Sequence, residues 1–280
     1  MKKFVAVFDG YKMSDSTMNY AIQLTRAENA HLVGVFLDDF IYRSYNVYNV
    51  LTGNENYQSV IKELDATDQK KRDAATVQFQ QACENAGIQF SIHRDKSIAL
   101  QEFKQESMFA DLVVINEYET FSNKKEQPPT RFIRELLSGV QCPVLVVPEA
   151  FKPVDKIVLL YDGKPSSLYA IKMFSYLFGS LHQVPVEVFT VNENAPGSAR
   201  LPDNKLMKEF IKRHFPKAQY IIVKGEAEEL IIDHLKKHKE NELVVLGAYQ
   251  RSEPSRWFKS SMADVLMKKL DTPLFIAHHK

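Results

Sequence analysis

The chain repeats itself. VAVFDG at 5–10 and VLLYDG at 158–163 superpose at a shift of 153 residues, and the segments after each opening match in order. In the first copy an apolar run (Phe4 to Phe8) stops at Asp9-Gly10, Ser14 and Asp15 open a helical pattern, and His31 to Leu37 is a second apolar run. In the second copy Ile157 to Tyr161 stops at Asp162-Gly163, Pro165-Ser166-Ser167 opens a helix, and Val186 to Val191 is the next apolar run. The ends repeat too. ADLVVINEYETF (110–121) parallels NELVVLGAYQRS (241–252), and RFIRELLSGVQCPVLVVP (131–148) parallels ADVLMKKLDTPLFIA (263–277). Between them, Ala74 to Ala86 before Ile88 to His93 matches Leu206 to Phe215 before Ala218 to Val223. Duplication at this period means two similar domains, not a solenoid. They span 1–149 and 154–280, joined through the proline-bracketed PEAFKP at 148–153.

Apolar runs alternating with helices of 10–15 residues imply α/β domains, each a doubly wound five-stranded parallel sheet with right-handed crossovers. Continuous apolar strands fit sheets buried on both faces. Ligands in such sheets sit beyond the carboxyl ends of the strands, where the winding reverses. Asp9, Asn116, Asp162 and Gly247 stand at such ends. The last forty residues add a polar loop (248–259) leading into Ser260, Ser261 and a helix from Met262. Strand, loop and helix N-terminus can hold an anion, because the first helical N–H groups lack partners. Residues 39–65 have no counterpart in the second half. They carry Tyr42, Tyr45, Tyr48 and Tyr57 and read as an elaborated loop over the sheet edge, or as a lid or partner surface.

Composition sets limits. Net charge is +1, which gives no general attraction to nucleic acid. The first 150 residues carry 16 Lys/Arg against 20 Asp/Glu and the remainder 20 against 15, a mild asymmetry that suits docking of the halves or an anion in the second. Cys83 and Cys142 are too few for a disulfide framework, and Cys142, before Pro143 at a strand entry, reads as buried and inert. The opening MKKFVAVFDGY is too short for a signal-peptide core and no run is long enough to span a membrane, so a cytoplasmic protein is expected. His234 and His238 share a helix face beside Asp233 but lack a third ligand, and their lysine neighbours point to a solvated basic face; no metal is expected. His278-His279 reads as a frayed tail, and Trp257 and Phe258 as anchors of their loop. No nucleophile can be paired with a base, so no catalytic residues and no enzyme are expected. Asp9 and Asp162 are either base contacts or caps of the turns directly after them.

These motifs, in this order and twice over, resemble the universal stress proteins. The resemblance rests on FDG and YDG, on the LG at 246–247, and on QCPVLVV and DTPLFIA. It implies that the two copies pair through their last strands as an internal pseudo-dimer. It leaves open a further homodimer and an unidentified protein partner. Nucleotide-binding members resemble one another in a loop Gly-x2-Gly-x9-Gly-Ser/Thr, whose glycines let backbone wrap the phosphates. Carried onto the second half, the four positions are Gly247, Gln250, Ser260 and Ser261, so two of three glycines are missing. Asp162, Val191 and Arg251 complete the implied nucleotide site, and Arg256 and Lys259 add positive charge. In the first half the positions start at Asn116 and Glu119, and Glu117 and Glu119 would repel phosphate. The expectation is a non-enzymatic stress-response regulator or scaffold with degenerate phosphate loops and no required cofactor. The alternative is a switch that binds ATP or AMP, with Mg, in the second half.

Overall fold

The computed structural model describes the chain except residues 38–44, 46, 54–55, 96–98, 123, 193–199, 238–240, 249–260 and 279–280. The first half contributes strands β1 (Lys3–Phe8), β2 (His31–Leu37), β3 (Gln89–Asp95), β4 (Leu112–Asn116) and β5 (Val144–Val147). The second contributes β6 (Lys156–Leu160), β7 (Val186–Asn192), β8 (Gln219–Lys224), β9 (Glu242–Gly247) and β10 (Leu274–Ala277). They form a single sheet in the order β3-β2-β1-β4-β5-β10-β9-β6-β7-β8. Strands within each half pair in parallel. The halves join where β5 and β10 run antiparallel, with Leu145 opposite Phe275. The expected pseudo-dimer is therefore one continuous sheet.

Alternation along each strand feeds two cores. In β1, Phe4, Ala6 and Phe8 enter one and Val5 and Val7 the other. The first core is covered by helices α1 (Asp15–Glu28), α3 (Tyr57–Ala86), α6 (Pro165–Leu177) and α7 (Asn204–His214). The opposite core is covered by α4 (Ala99–Ser107), α5 (Arg131–Gly139), α8 (Ala227–Lys237) and α9 (Met262–Lys269). Both cores run across the join. Phe4 of the first half lies 6.1 Å, ring centre to ring centre, from Phe178 of the second. Glu28 accepts hydrogen bonds from Lys2 of its own half and from the Ser180 backbone N–H at 2.8 Å. The linker is pinned as well: the Asn241 side-chain amide donates to the carbonyls of Lys152 (2.7 Å) and Pro153 (2.8 Å).

The insertion departs from the expected loop. Residues 47–53 form α2 (Val47–Gly53), and Tyr57 begins α3, which runs thirty residues to Ala86. Its inward positions recur at helical spacing through Asp68, Ala75, Phe79 and Cys83. Polar Asp68 and Arg72 interrupt the apolar pattern, so only the stretch after Ala74 is legible as a helix. Phe79 is fully buried among Phe8, Phe36 and Phe90. A side chain of that size contributes roughly 1.5–3 kcal/mol on burial. Gly34 in β2 makes the space, since a Cβ there would stand 2.6 Å from the Phe79 ring. Tyr45 donates to Asp65 at 2.6 Å, and Tyr48 is exposed on α2. Tyr42 lies outside the described residues. None of the described helices is long and apolar enough to cross a membrane.

Candidate functional site

The winding of the second half reverses between β6 and β9, and the carboxyl ends of these strands hold Asp162 and Gly247. A cleft of about 680 Å³ opens there, within the size range of small-molecule sites. Leu160, Phe189 and Val191 from the sheet, Ile231 from α8, and Met262 and Val265 from α9 supply its apolar lining. Asp162, Lys164, Ser167, Asn192, Glu226 and Glu228 line it as well. Asp162, Val191 and Gly247, three of the residues the sequence nominates, are brought together in this lining. Gln250, Arg251 and Ser260, like Arg256, Trp257, Phe258 and Lys259, lie outside the described residues.

Asp162, Gly247 and Ser261 each have a structural role of their own. Asp162 Oδ1 accepts the Lys164 N–H at 3.0 Å and the Ser167 hydroxyl at 2.6 Å, a turn-closing arrangement. Its side chain remains 50% exposed, and the Lys164 ammonium stands 3.4 Å away. At Gly247 a Cβ would come within 2.4 Å of the Ser166 backbone carbon and oxygen. The glycine is required by the start of α6 packing on the end of β9, whatever approaches from solvent. Ser261 is the N-cap of α9, its hydroxyl accepting the Asp264 N–H at 3.2 Å. Thr130 caps α5 in the same way through the Ile133 N–H.

The corresponding end of the first half is closed. Asp9, only 2% exposed, accepts the Tyr11 N–H at 2.8 Å. The Tyr11 hydroxyl donates to Asp68 of α3 at 3.2 Å, and the Arg72 guanidinium lies 4.5 Å from the Tyr11 ring centre. The long helix thus reaches over the end of β1. Glu119, buried, fills the loop after β4. Its Oε1 accepts the N–H groups of Thr120 (3.0 Å) and Phe121 (3.2 Å), and Phe121 is held at φ +47°. A carboxylate of the chain sits on the amides that an external anion would need. Burial, then the Asp9 charge, raises the Glu119 pKa; the amide bonds and Lys12 oppose this. Burial also pushes Glu117 up to about 8, aided by Asp271 and Glu149.

His234 corrects its expected place on a solvated face. Its Nε2 hydrogen-bonds Glu187 Oε1, and its ring stacks on Phe189 at 4.2 Å. Glu187 and Glu242 both lie 3.0 Å from the Lys156 ammonium, so the histidine completes a charge network at the strand starts. Sequence spacing cannot reveal this, because His234 is on α8 and Glu187 enters from β7. His238 and His279 lie outside the described residues. Among those described, no group of three or more His, Cys, Asp or Glu could hold a metal. Cys142 is buried, as expected. The cleft's lining includes Glu226 and Glu228, which sequence reasoning does not nominate. The signal is present in KGEAEEL (224–230), a helix start directly after a strand's carboxyl end.

Solved structures share this architecture. A universal stress protein from Archaeoglobus fulgidus DSM 4304 superposes with a TM-score of 0.70 at 13% identity, covering 99% of this chain and 98% of its own. A functionally unknown protein from Pseudomonas aeruginosa PAO1 does so with a TM-score of 0.61 at 14% identity, covering 99% and 92%. No protein-family model and no curated protein matches the sequence. The chain has the universal stress protein fold, in two copies along its length.

Proposed function

Starting from that fold, we propose that the protein is a non-enzymatic stress-response regulator of the universal stress type. Its second half is the ligand-sensing part, and its first half is a structural partner without a site. The observation that carries this is the contrast between equivalent positions. Asp162 is half exposed on an open cleft of about 680 Å³, whereas Asp9 is 2% exposed beneath Tyr11 and α3.

A second reading, a scaffold that needs no ligand, draws support from Gly247 and Ser261. Both belong to the family's phosphate loop by position, yet here one serves helix packing and the other a helix cap. One experiment separates the two readings. The purified full-length chain is incubated with a small-molecule metabolite extract and re-isolated, and the compound released on denaturation is quantified by mass spectrometry. Retention of one compound per chain, lost in Val191→Trp, is the expected result. Nothing retained, or the same retention in the variant, would leave the scaffold.

A further inference from the structure

The positive charge of the second half is gathered in one layer. Residues 164–224 carry nine Lys/Arg against four Asp/Glu, and this excess of five is the whole excess of residues 151–280. The span supplies α6 and α7, which lie side by side over the first core, Tyr176 of one meeting His214 of the other at 5.4 Å between ring centres. α6 contains no Asp or Glu, and the acid within α7, Glu209, is paired with Arg213 at 3.0 Å. Lys205, Lys208 and Lys212 recur at helical spacing on α7 and are exposed, while Met207 and Ile211 are buried. The helix dipole favours cations in the last turn but opposes Lys205 in the first, so helix stability does not account for the row. Nor does the fold require it: in the equivalent helix of the first half, Ala74 to Ala86 includes no Lys or Arg. The same layer exposes apolar side chains. Among the described residues of the second half, the large apolar ones left exposed are Leu168, Tyr176 and Leu206, the last at 69%. The aromatic faces nearby are covered. The Lys208 ammonium lies 5.6 Å from the Tyr220 ring centre, that of Lys172 lies 5.8 Å from Tyr176, and the His214 ring stands 4.5 Å from Phe210. Bases need open rings on which to stack, whereas a lipid surface takes leucines flanked by lysines, and the second is what this layer offers.

We infer that the outer face of α6 and α7 docks on an anionic phospholipid surface, with Lys172, Lys205, Lys208 and Lys212 at the headgroups and Leu168 and Leu206 at the acyl boundary. Docking of this kind needs no ligand in the cleft. The test is co-sedimentation of the full-length chain with vesicles of phosphatidylcholine alone and of equal parts phosphatidylcholine and phosphatidylglycerol, at low and high salt. The chain should sediment with the anionic vesicles only, and less at high salt. Each cation removed near an anionic surface lowers affinity about fivefold, so Lys205→Gln/Lys208→Gln/Lys212→Gln should bind about a hundredfold more weakly. These three side chains are exposed, and their change leaves the core intact. Leu206→Gln, with charge unchanged, should lose roughly tenfold through the apolar contact alone. No sedimentation with the anionic vesicles, or equal sedimentation with both kinds, would overturn the inference. So would parental affinity in either variant. Retention of a single-stranded RNA oligonucleotide through the same lysines, with the vesicles left unbound, would assign the face to nucleic acid and overturn it as well.

Discussion

Gly247 shows how a residue can match a ligand motif for a reason unrelated to the ligand. The sequence offers a strand ending in glycine, which suits close approach of a phosphate. The structure puts the Ser166 backbone within 2.4 Å of the missing Cβ. Gly247→Ala must therefore push α6 off the sheet. The expected cost is about 1–3 kcal/mol, the range for overpacking a dense interior, read as a lower urea midpoint. The buried carboxyls of the first half make a second residue-scale prediction. Burial pushes the Glu117 carboxyl up to about 8 from its ordinary 4.5, and Glu119 is raised as well. Between those values the folded state holds protons that the unfolded state has released, so stability from these groups is full below the lower value. It is lost as pH rises through the upper one. Glu119→Gln keeps the oxygen that accepts the two amides and removes the titration. Denaturant unfolding at a series of pH values should show a shallower loss from pH 5 to 8 in the variant, with the variant more stable at the alkaline end. Parallel curves for the two proteins would show that Glu119 is ionised throughout.

At the scale of elements, most of the fold is legible in the sequence and the exceptions share a cause. Strands such as Leu112–Asn116 and helices such as Met262–Lys269 stand out because their apolar residues keep to a single period. The first half of α3 does not, because its inward face carries Asp68 and Arg72, which pack on Tyr11 from the far end of β1. The closure of the first site is half legible: Glu119 can be seen to oppose phosphate, but not to occupy the amides itself. Likewise, Glu226 and Glu228, at the start of α8, line the second cleft, and their distance in sequence from Asp162 conceals their meeting. Shortening Phe79 tests the packing of the long helix. Phe79→Ala, at a fully buried ring, should destabilise by about 3–5 kcal/mol in denaturant titration. A loss below about 1 kcal/mol would mean that α3 is held chiefly by its polar contacts.

At the scale of the whole molecule, a sheet shared by both halves ties their unfolding together. β5 and β10 sit at its centre, fully buried, whereas β3 and β8 form its edges with partly exposed residues. Opening free energy rises from edge to centre in such an arrangement. Amide exchange followed by mass spectrometry should find the central pair protected to the level of global unfolding, and β3 and β8 exchanging sooner. Faster exchange at β5 and β10 than at β1 and β6 would mean that the halves separate before either unfolds.

The antiparallel join has one more outcome. Because β5 and β10 run in opposite directions, the carboxyl ends of the two sets of strands point opposite ways along the strand direction. Two identical copies paired in this way would look the same from either end of the strands. Here one end carries an open cleft and the other the cover of Tyr11, Asp68 and Arg72. The duplicated chain has exchanged its two-fold symmetry for polarity, and it has a head and a tail.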